Sequence, residues 1–247
     1  MIEKNKIKWL NRLAMKKYRQ EYGVFVAEGA KTVEELLPAF RCQSLYYTAA
    51  YTGKLPAGVS VRVTDEELRK ISNMEAPQGV LAVFEMAKET PLNLRSDITL
   101  VLDGVQDAGN LGTILRAADW FGFEQVICTK GTVDVYNPKV VQATMGALAR
   151  VKVTYVETAD LLAVVRKEQL PLYVTDLSGK DLYESVIKSP ALMVFGNEGN
   201  GVSREMRDAA TDRLLLPNYP VGRKCSESLN VGVATALVCA EIRRRQR

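Results

Sequence analysis

Apolar positions recur along this chain in two rhythms. Over residues 1–85 the periods are short and mixed. Ile7, Leu10, Leu13 and Ala14 fall at helical spacing and predict one basic helix from Lys4 to Tyr18. "GVFVAEGAKTVEELL" predicts a strand, a glycine turn and a helix, while "SLYYTA" and "VSVRVT" predict short strands. Thr64 followed by Glu67 is a capping box that opens another helix, and "GVLAVFEM" predicts a further strand. Ala87 to Asp97, with Pro91 and alternating charges, has the composition of a linker.

From Ile98 onward the rhythm is strand, loop, helix. "ITLVLDGV", "QVICTKG", "VKVTYVE", "PLYVTDL", "ALMVFGNEG" and "RLLLPN" predict strands, several of them apolar along their whole length. Between them lie helical segments. In "NLGTILRAADWFG" the residues Leu111, Ile114, Leu115, Ala118 and Phe121 share one face. "PKVVQATMGALARV", the segment around Leu161 to Glu168, one from Ser203 and the final stretch to Arg245 are also helical. Buried strands alternating with helices predict an α/β domain built on a parallel sheet. The last helix is thin, with Gly232, Ala234, Thr235, Ala236 and Ala240, and the run before it is crowded with hydrogen-bonding side chains.

Composition narrows the class. The 247 residues fit one large or two modest domains, and 47% apolar with 25% charged residues fits a packed core. No apolar run is long enough for a membrane helix, and the N-terminus lacks a signal-peptide core. Cys42, Cys128, Cys225 and Cys239 show no CxxC spacing, so reduced thiols in a cytoplasmic protein are expected. The net charge of +4 is compatible with nucleic acid but does not diagnose it. There is no histidine, which removes the commonest general base and any histidine-based zinc site, and no metal is expected. Lys4, Lys6, Lys8, Arg12, Lys16, Lys17 and Arg19, with Trp9 and Tyr18 among them, form a basic N-terminal segment. It reads equally as a phosphate-contacting surface or as a solvated amphipathic face.

Ligands of open α/β sheets sit beyond the carboxyl ends of strands. Three such ends are chemically loaded here: "DGVQDAGNLGTILR", "FGNEGNGVS" and "LPNYPVGRKCSESLN". Neither a G-x-G-x-x-G after the first strand nor a G-x-x-x-x-G-K-[ST] is present, so a dinucleotide site, a phosphate loop and a small-kinase activity are disfavoured.

These segments resemble the three motifs of the SpoU (TrmH-like) branch of the SPOUT RNA 2′-O-ribose methyltransferases. Asn110, Gly112 and Arg116 match the first, N-x-G-x-x-x-R; Gly196, Glu198, Gly199 and Gly201 match the second. Leu216, Pro217, Ser228, Leu229, Asn230, Val231, Val233 and Ala234 match the third. The N-terminal part, with "KKYRQEYGVFVAEGAKTVEELL" and "APQGVLAVF", is similar to the small substrate-binding domain that often precedes this fold.

The resemblance implies a small α/β RNA substrate-binding domain over 1–88 and a SPOUT methyltransferase domain over 97–247. In the latter the C-terminal segment threads an earlier loop to form a deep trefoil knot, a rare exception to the usual topology. A thin helix suits such threading. The resemblance further implies S-adenosylmethionine as methyl donor, held by Thr175, Gly196, Leu216 and Leu229, and a ribose 2′-hydroxyl of ribosomal or transfer RNA as acceptor. Asn110, Arg116, Glu198, Ser228 and Asn230 carry the chemistry in that reading, with Arg116 gripping a phosphate and orienting the hydroxyl, since an arginine is hard to deprotonate. Glu198 holds either Arg116 or the knot backbone. A homodimer is expected, served by apolar Val238 and Ile242 on the last helix. The alternatives are ordinary ones: Asn110, Ser228 and Asn230 as helix caps, Arg116 as a solvated arginine, Leu216 and Leu229 as core, and the whole chain as a non-catalytic RNA-binding protein. Residues 218–227 form a longer loop than the family's usual turn, with Arg223 and Lys224 adding charge. Cys225 lacks a histidine partner and is not expected to be a nucleophile.

Overall fold

The computed structural model describes residues 2–88, 92, 94, 97–220, 223 and 226–247. Lys224, Cys225 and most of the linker lie outside the described residues. The chain divides into two compact units, one of residues 1–88 with 134–150, the other of 89–133 with 151–247.

The first unit begins with helices α1 (Lys4–Arg12) and α2 (Lys16–Tyr22), followed by β1 (Val24–Glu28), α3 (Ala30–Leu36), β2 (Cys42–Tyr47), β3 (Ser60–Arg62), α4 (Asp65–Ile71) and β4 (Val80–Glu85). Its sheet runs β1-β4-β2-β3, with β1 and β2 antiparallel to β4 and β3 parallel to β2. Leu10, Leu13, Val26, Leu68, Ile71 and Leu81 form one side of its core. The expected capping box is present: Thr64 accepts from the Glu67 N–H while the Glu67 carboxylate accepts from the Thr64 N–H.

The single basic helix expected over Lys4–Tyr18 is instead two helices. Arg19, 1% exposed, explains the break: its guanidinium donates to the carbonyls of Leu13 (2.8 Å) and Ala14 (2.7 Å) and pairs with Asp134 (2.5 Å). Carbonyls left open at the end of α1 are satisfied by a buried cation. Arg19 is therefore a structural residue, and the expected phosphate-contacting role does not apply to it. The segment 134–150 contributes α6 (Pro138–Ala143) and a short 3-10 turn (Ala147–Ala149), with the Tyr136 ring 4.7 Å from that of Phe25. The helix expected through "PKVVQATMGALARV" is interrupted by positive φ at Met145 (51°) and Gly146 (92°).

The second unit holds β5 (Ile98–Asp103), α5 (Ala108–Trp120), β6 (Gln125–Thr129), β7 (Lys152–Val156), α7 (Thr158–Glu168), β8 (Leu172–Asp181), β9 (Ala191–Gly196), α8 (Arg204–Asp208), β10 (Asp212–Leu215) and α9 (Val231–Arg245). All six strands are parallel, in the order β10-β8-β9-β5-β6-β7. The chain moves outward from β5 to β7, then lays the other three strands on the opposite side. β5 is buried along its whole length, as a central parallel strand must be when both faces are covered. Val101, Ile127 and Val194 pack under Leu161 and Val165 of α7 and Met206 of α8.

Helices α5 and α9 pack on each other. A Cβ on Gly232 would lie 3.0 Å from Thr113 Cγ2, so the thinness of α9 lets two helix backbones approach closely. At the far end Arg243 donates to the Phe121 (2.7 Å) and Gly122 (2.9 Å) carbonyls, closing the C-terminus of α5. Val238 and Ile242, expected as an exposed interface, are 1% and 2% exposed because they face inward. The apolar side chains that α9 leaves in water are Val233 and Leu237, with Trp120 of α5 at 86% exposure.

Candidate active site

Loops leave the carboxyl ends of β5 and β9, where the direction of strand addition reverses, and a third leaves the edge strand β10. In open parallel sheets this is where ligands bind. Polar contacts pin the first two loops together. The carboxylate of Asp103, the last residue of β5, is buried and accepts from the Ser203 N–H at 2.7 Å. Asn197 closes its own loop. Its N–H donates to the Gly201 carbonyl and its carbonyl accepts from the Gly201 N–H, at 3.0 and 2.9 Å. Its side-chain oxygen accepts from the Gly199 and Asn200 N–H groups, and its amide donates to the Gly104 carbonyl at 2.9 Å. Gly196 has no space for a side chain: a Cβ there would lie 2.3 Å from the backbone of Gly201 and Val202.

On this base the polar side chains form a directed chain. Asn230 is the N-cap of α9, its Oδ1 accepting from the Gly232 (3.0 Å) and Val233 (3.2 Å) N–H groups. Those two donors leave Nδ2 as the outward atom, and it donates to Asn110 Oδ1 at 2.8 Å. Asn110 therefore presents its own amide on the other side, where it donates to Glu198 Oε1 at 2.5 Å. Each amide orientation is dictated by its neighbour. The bond ending on the carboxylate is the stronger kind, worth about 1.5–3 kcal/mol when sheltered and less in partial contact with water.

Asn110, Glu198 and Asn230 are thus brought together, although 88 and 120 residues separate Asn110 from the other two. Asn230 is a helix cap, one of its two expected roles, and it also reaches Asn110. Asn110 caps nothing; Asp107 caps α5 instead, accepting from the Asn110 N–H at 2.7 Å. The partner that Glu198 holds is neither of the two expected, Arg116 or the knot backbone, but the side-chain amide of Asn110. Arg116 is exposed on α5. Ser228 is exposed in the bend before α9. Among the cofactor candidates, Thr175 donates its hydroxyl to the Val194 carbonyl at 3.0 Å, bridging β8 and β9. Leu216 is half-buried just past the end of β10, and Leu229, 53% exposed, immediately precedes the Asn230 cap. Cys128 and Cys239 are buried, and burial pushes the Cys239 thiol up to about 12, so neither supplies a thiolate. Among the described residues no cluster of three metal-ligating side chains occurs.

Asp103, Asp107 and Asn197 escaped the reading of the sequence. Asn197 carried a usable signal, an asparagine directly after a strand and before glycines, where it commonly organises a turn.

The geometry defines an α/β protein with a polar site assembled beyond the carboxyl ends of a parallel sheet. Residues 97–240 match the model of the SpoU rRNA Methylase family, and residues 4–82 match that of the MRM3-like substrate binding domain. The chain is 30% identical over 243 residues to the 23S rRNA (guanosine(2553)-2′-O)-methyltransferase RlmP of Bacillus subtilis (strain 168), covering 96% of each. A TrmH-family structure from Porphyromonas gingivalis is 43% identical, with a TM-score of 0.90 over 99% of both chains. The AdoMet-bound rRNA methyltransferase from Sinorhizobium meliloti is 26% identical, with a TM-score of 0.85 over 100% of this chain and 97% of its own. The chain belongs to the SpoU rRNA methylase family.

Proposed function

We propose that this protein is an S-adenosylmethionine-dependent RNA methyltransferase that modifies a ribose 2′-hydroxyl of ribosomal RNA. The observation that carries the reading is the Asn230–Asn110–Glu198 chain, which joins all three family motifs in one place. The relatives support the reaction: RlmP is a 23S rRNA 2′-O-methyltransferase, and the Sinorhizobium meliloti rRNA methyltransferase binds AdoMet.

The residues present fit the cofactor. β10 ends at Leu215, so the backbone of Leu216 lies past the end of that strand, and Leu229 and Leu216 offer aliphatic walls. Backbone groups between aliphatic walls suit a neutral base. When bound, S-adenosylmethionine would supply an electrophilic methyl on a sulfonium, with the ribose oxygen as acceptor, a neutral thioether as leaving group and solvent water taking the hydroxyl proton. Thr175 and Gly196 hold the pocket floor by fixing β8 and the 196–201 loop. Asn110 and Asn230 hold the rim at fixed distance from Glu198, so that the acceptor meets a preorganised surface. Arg116, exposed on α5, grips an RNA phosphate and orients the ribose, with Ser228 at the same mouth. Arg116→Ala should abolish methyl transfer and leave S-adenosylmethionine affinity within about twofold; near-normal turnover would remove its role.

In this reading residues 1–88 capture RNA and 97–247 transfer the methyl group, in the cytoplasm, with the C-terminal segment threaded through an earlier loop as a trefoil knot. Two copies associate through Val233, Leu237 and Trp120, the apolar side chains that α9 and α5 leave in water. The test is a map of 2′-O-methylated riboses in RNA from cells with and without the gene. Loss of one ribosomal site is the expected result. An unchanged map across ribosomal and transfer RNA would overturn the proposal and favour a non-catalytic RNA-binding protein.

A further inference from the structure

Glu3 stands at the N-cap of α1, and Arg12 and Arg19 lie in last turns, where cations favour a helix, but the lysines of α1 and α2 are placed against the stability of their own helices. Lys4, Lys8 and Arg12 are exposed at successive i,i+4 positions, where like charges repel. Lys4, Lys16 and Lys17 sit in first turns, where the helix dipole disfavours cations, and neither helix has an acidic residue in its first turn. In its first turn α4 of the same unit follows the opposite rule, carrying Asp65, Glu66 and Glu67. A merely solvated face would gain from that second arrangement.

Aromatic rings run between these cations. Tyr22, 38% exposed, lies 5.9 Å from Trp9 and 6.4 Å from Tyr18, with the two tyrosine planes inclined by only 13°. Lys6 sits 4.0 Å over the Trp9 ring, and Arg12 and Lys17 approach Tyr18 at 5.3 and 5.9 Å. Two rings thus already carry cations, and Tyr22 is the exposed ring between them.

We infer that the α1–α2 face is a binding site for single-stranded RNA, in which an unpaired base stacks on Tyr22 and the flanking lysines hold the phosphates on either side. Aromatic faces interleaved with exposed cations suit an unpaired strand, because every base has a π face while a duplex hides it. A polyanion also neutralises the i,i+4 and first-turn repulsions, so binding and helix stability reinforce one another. This inference rests on the RNA-substrate reading given above and specifies the form of RNA that the N-terminal helices take.

The test uses the full chain, a labelled unstructured uridine oligomer and an RNA hairpin whose fully paired stem is closed by a non-nucleotide linker, with binding followed by anisotropy between about 50 and 200 mM salt. Tyr22→Ala should weaken binding of the oligomer about tenfold, leave the hairpin unaffected and keep the salt slope, because it removes stacking and no charge. Tyr22→Phe keeps the ring and should bind like the parent, which separates stacking from misfolding. The double variant Lys16→Gln/Lys17→Gln, at two exposed positions, should lower the single-strand salt slope by about 1.4. Four results would each overturn the inference: oligomer binding within twofold of the parent in Tyr22→Ala, an unchanged salt slope in the lysine variant, equal losses on oligomer and hairpin, or failure of Tyr22→Phe to bind. Methyl transfer is read separately. Oligomer binding that responds as expected, in a protein that transfers no methyl, would sink the catalytic reading and leave this site standing.

Discussion

Replacing Asn110 with aspartate tests the polar chain at its middle link. Aspartate has the same shape and still accepts from Asn230, but its ionised form has nothing to donate to Glu198. One charge-assisted bond is lost, worth about 1.5–3 kcal/mol if sheltered. Two carboxylates then face each other where a 2.5 Å bond stood. Unit charges 4 Å apart repel by about 1 kcal/mol in water and about 4 kcal/mol near a protein surface. Glu198 is exposed, so the lower ends apply, and the sum is about 2–3 kcal/mol. For a chain of this size that is a fall in Tm of about 4–12 °C if unfolding is cooperative. The sign with pH follows from proton linkage. A proton shared between the two carboxylates restores a donor, so the folded variant binds that proton more tightly than the unfolded one. Its deficit relative to the parent grows as pH rises and shrinks as pH falls. Asn110→Ala has no such group and serves as the control. Differential scanning fluorimetry of parent and both variants at about pH 5 and pH 8 reads the difference. A deficit in Asn110→Asp equal at both pH values, or no deficit at all, would refute the directed chain.

Three further substitutions probe other parts of the molecule. Gly196→Ala forces a methyl to within 2.3 Å of the Gly201 and Val202 backbone, so it should cost about 3 kcal/mol, the upper end for overpacking, and cut S-adenosylmethionine affinity at least tenfold; a fully stable variant would mean the 196–201 loop is adaptable. Leu237→Glu puts a charge on the exposed apolar face of α9 and should convert a two-chain species to one chain in sedimentation, whereas an unchanged mass would place any interface elsewhere. Glu241 is held down to about 2 by the Arg244 and Arg245 guanidiniums, so its contribution is present above the ordinary carboxylate range and fades as pH falls from about 4.5 toward 2. Since Arg244 is largely in water, Glu241→Gln should lose no more than about 2 kcal/mol in denaturant unfolding at pH 7, with the loss shrinking by pH 3; a loss that persists there would deny the ion pair its role.

The parallel sheet and the chemical end of the molecule were legible because both write themselves into local pattern. Continuous apolar runs mark strands buried on both faces, and motifs such as N-x-G-x-x-x-R sit just beyond strand ends. What stayed hidden depends on distant partners. The helical period through Leu13 and Ala14 runs unbroken, so the split between α1 and α2 could be seen only with Asp134 in place behind Arg19. Val238 and Ile242 look like an exposed stripe on a helical wheel until their neighbours are known; period says which residues share a face, not what covers it. Asn197 and Asp103 support the site through backbone groups of other loops, and backbone donors carry no residue identity that a sequence can display.

A direct reading of the chemistry comes from incubating the purified protein with S-adenosylmethionine labelled in its methyl group and with ribosomal RNA lacking modifications, then digesting the RNA and locating the label by mass spectrometry. The expected product is a single nucleotide labelled on its ribose 2′-oxygen, formed by the parent and lost in Arg116→Ala. Label on a base, or binding of the cofactor with no transfer to any RNA, would contradict ribose methylation by these three loops.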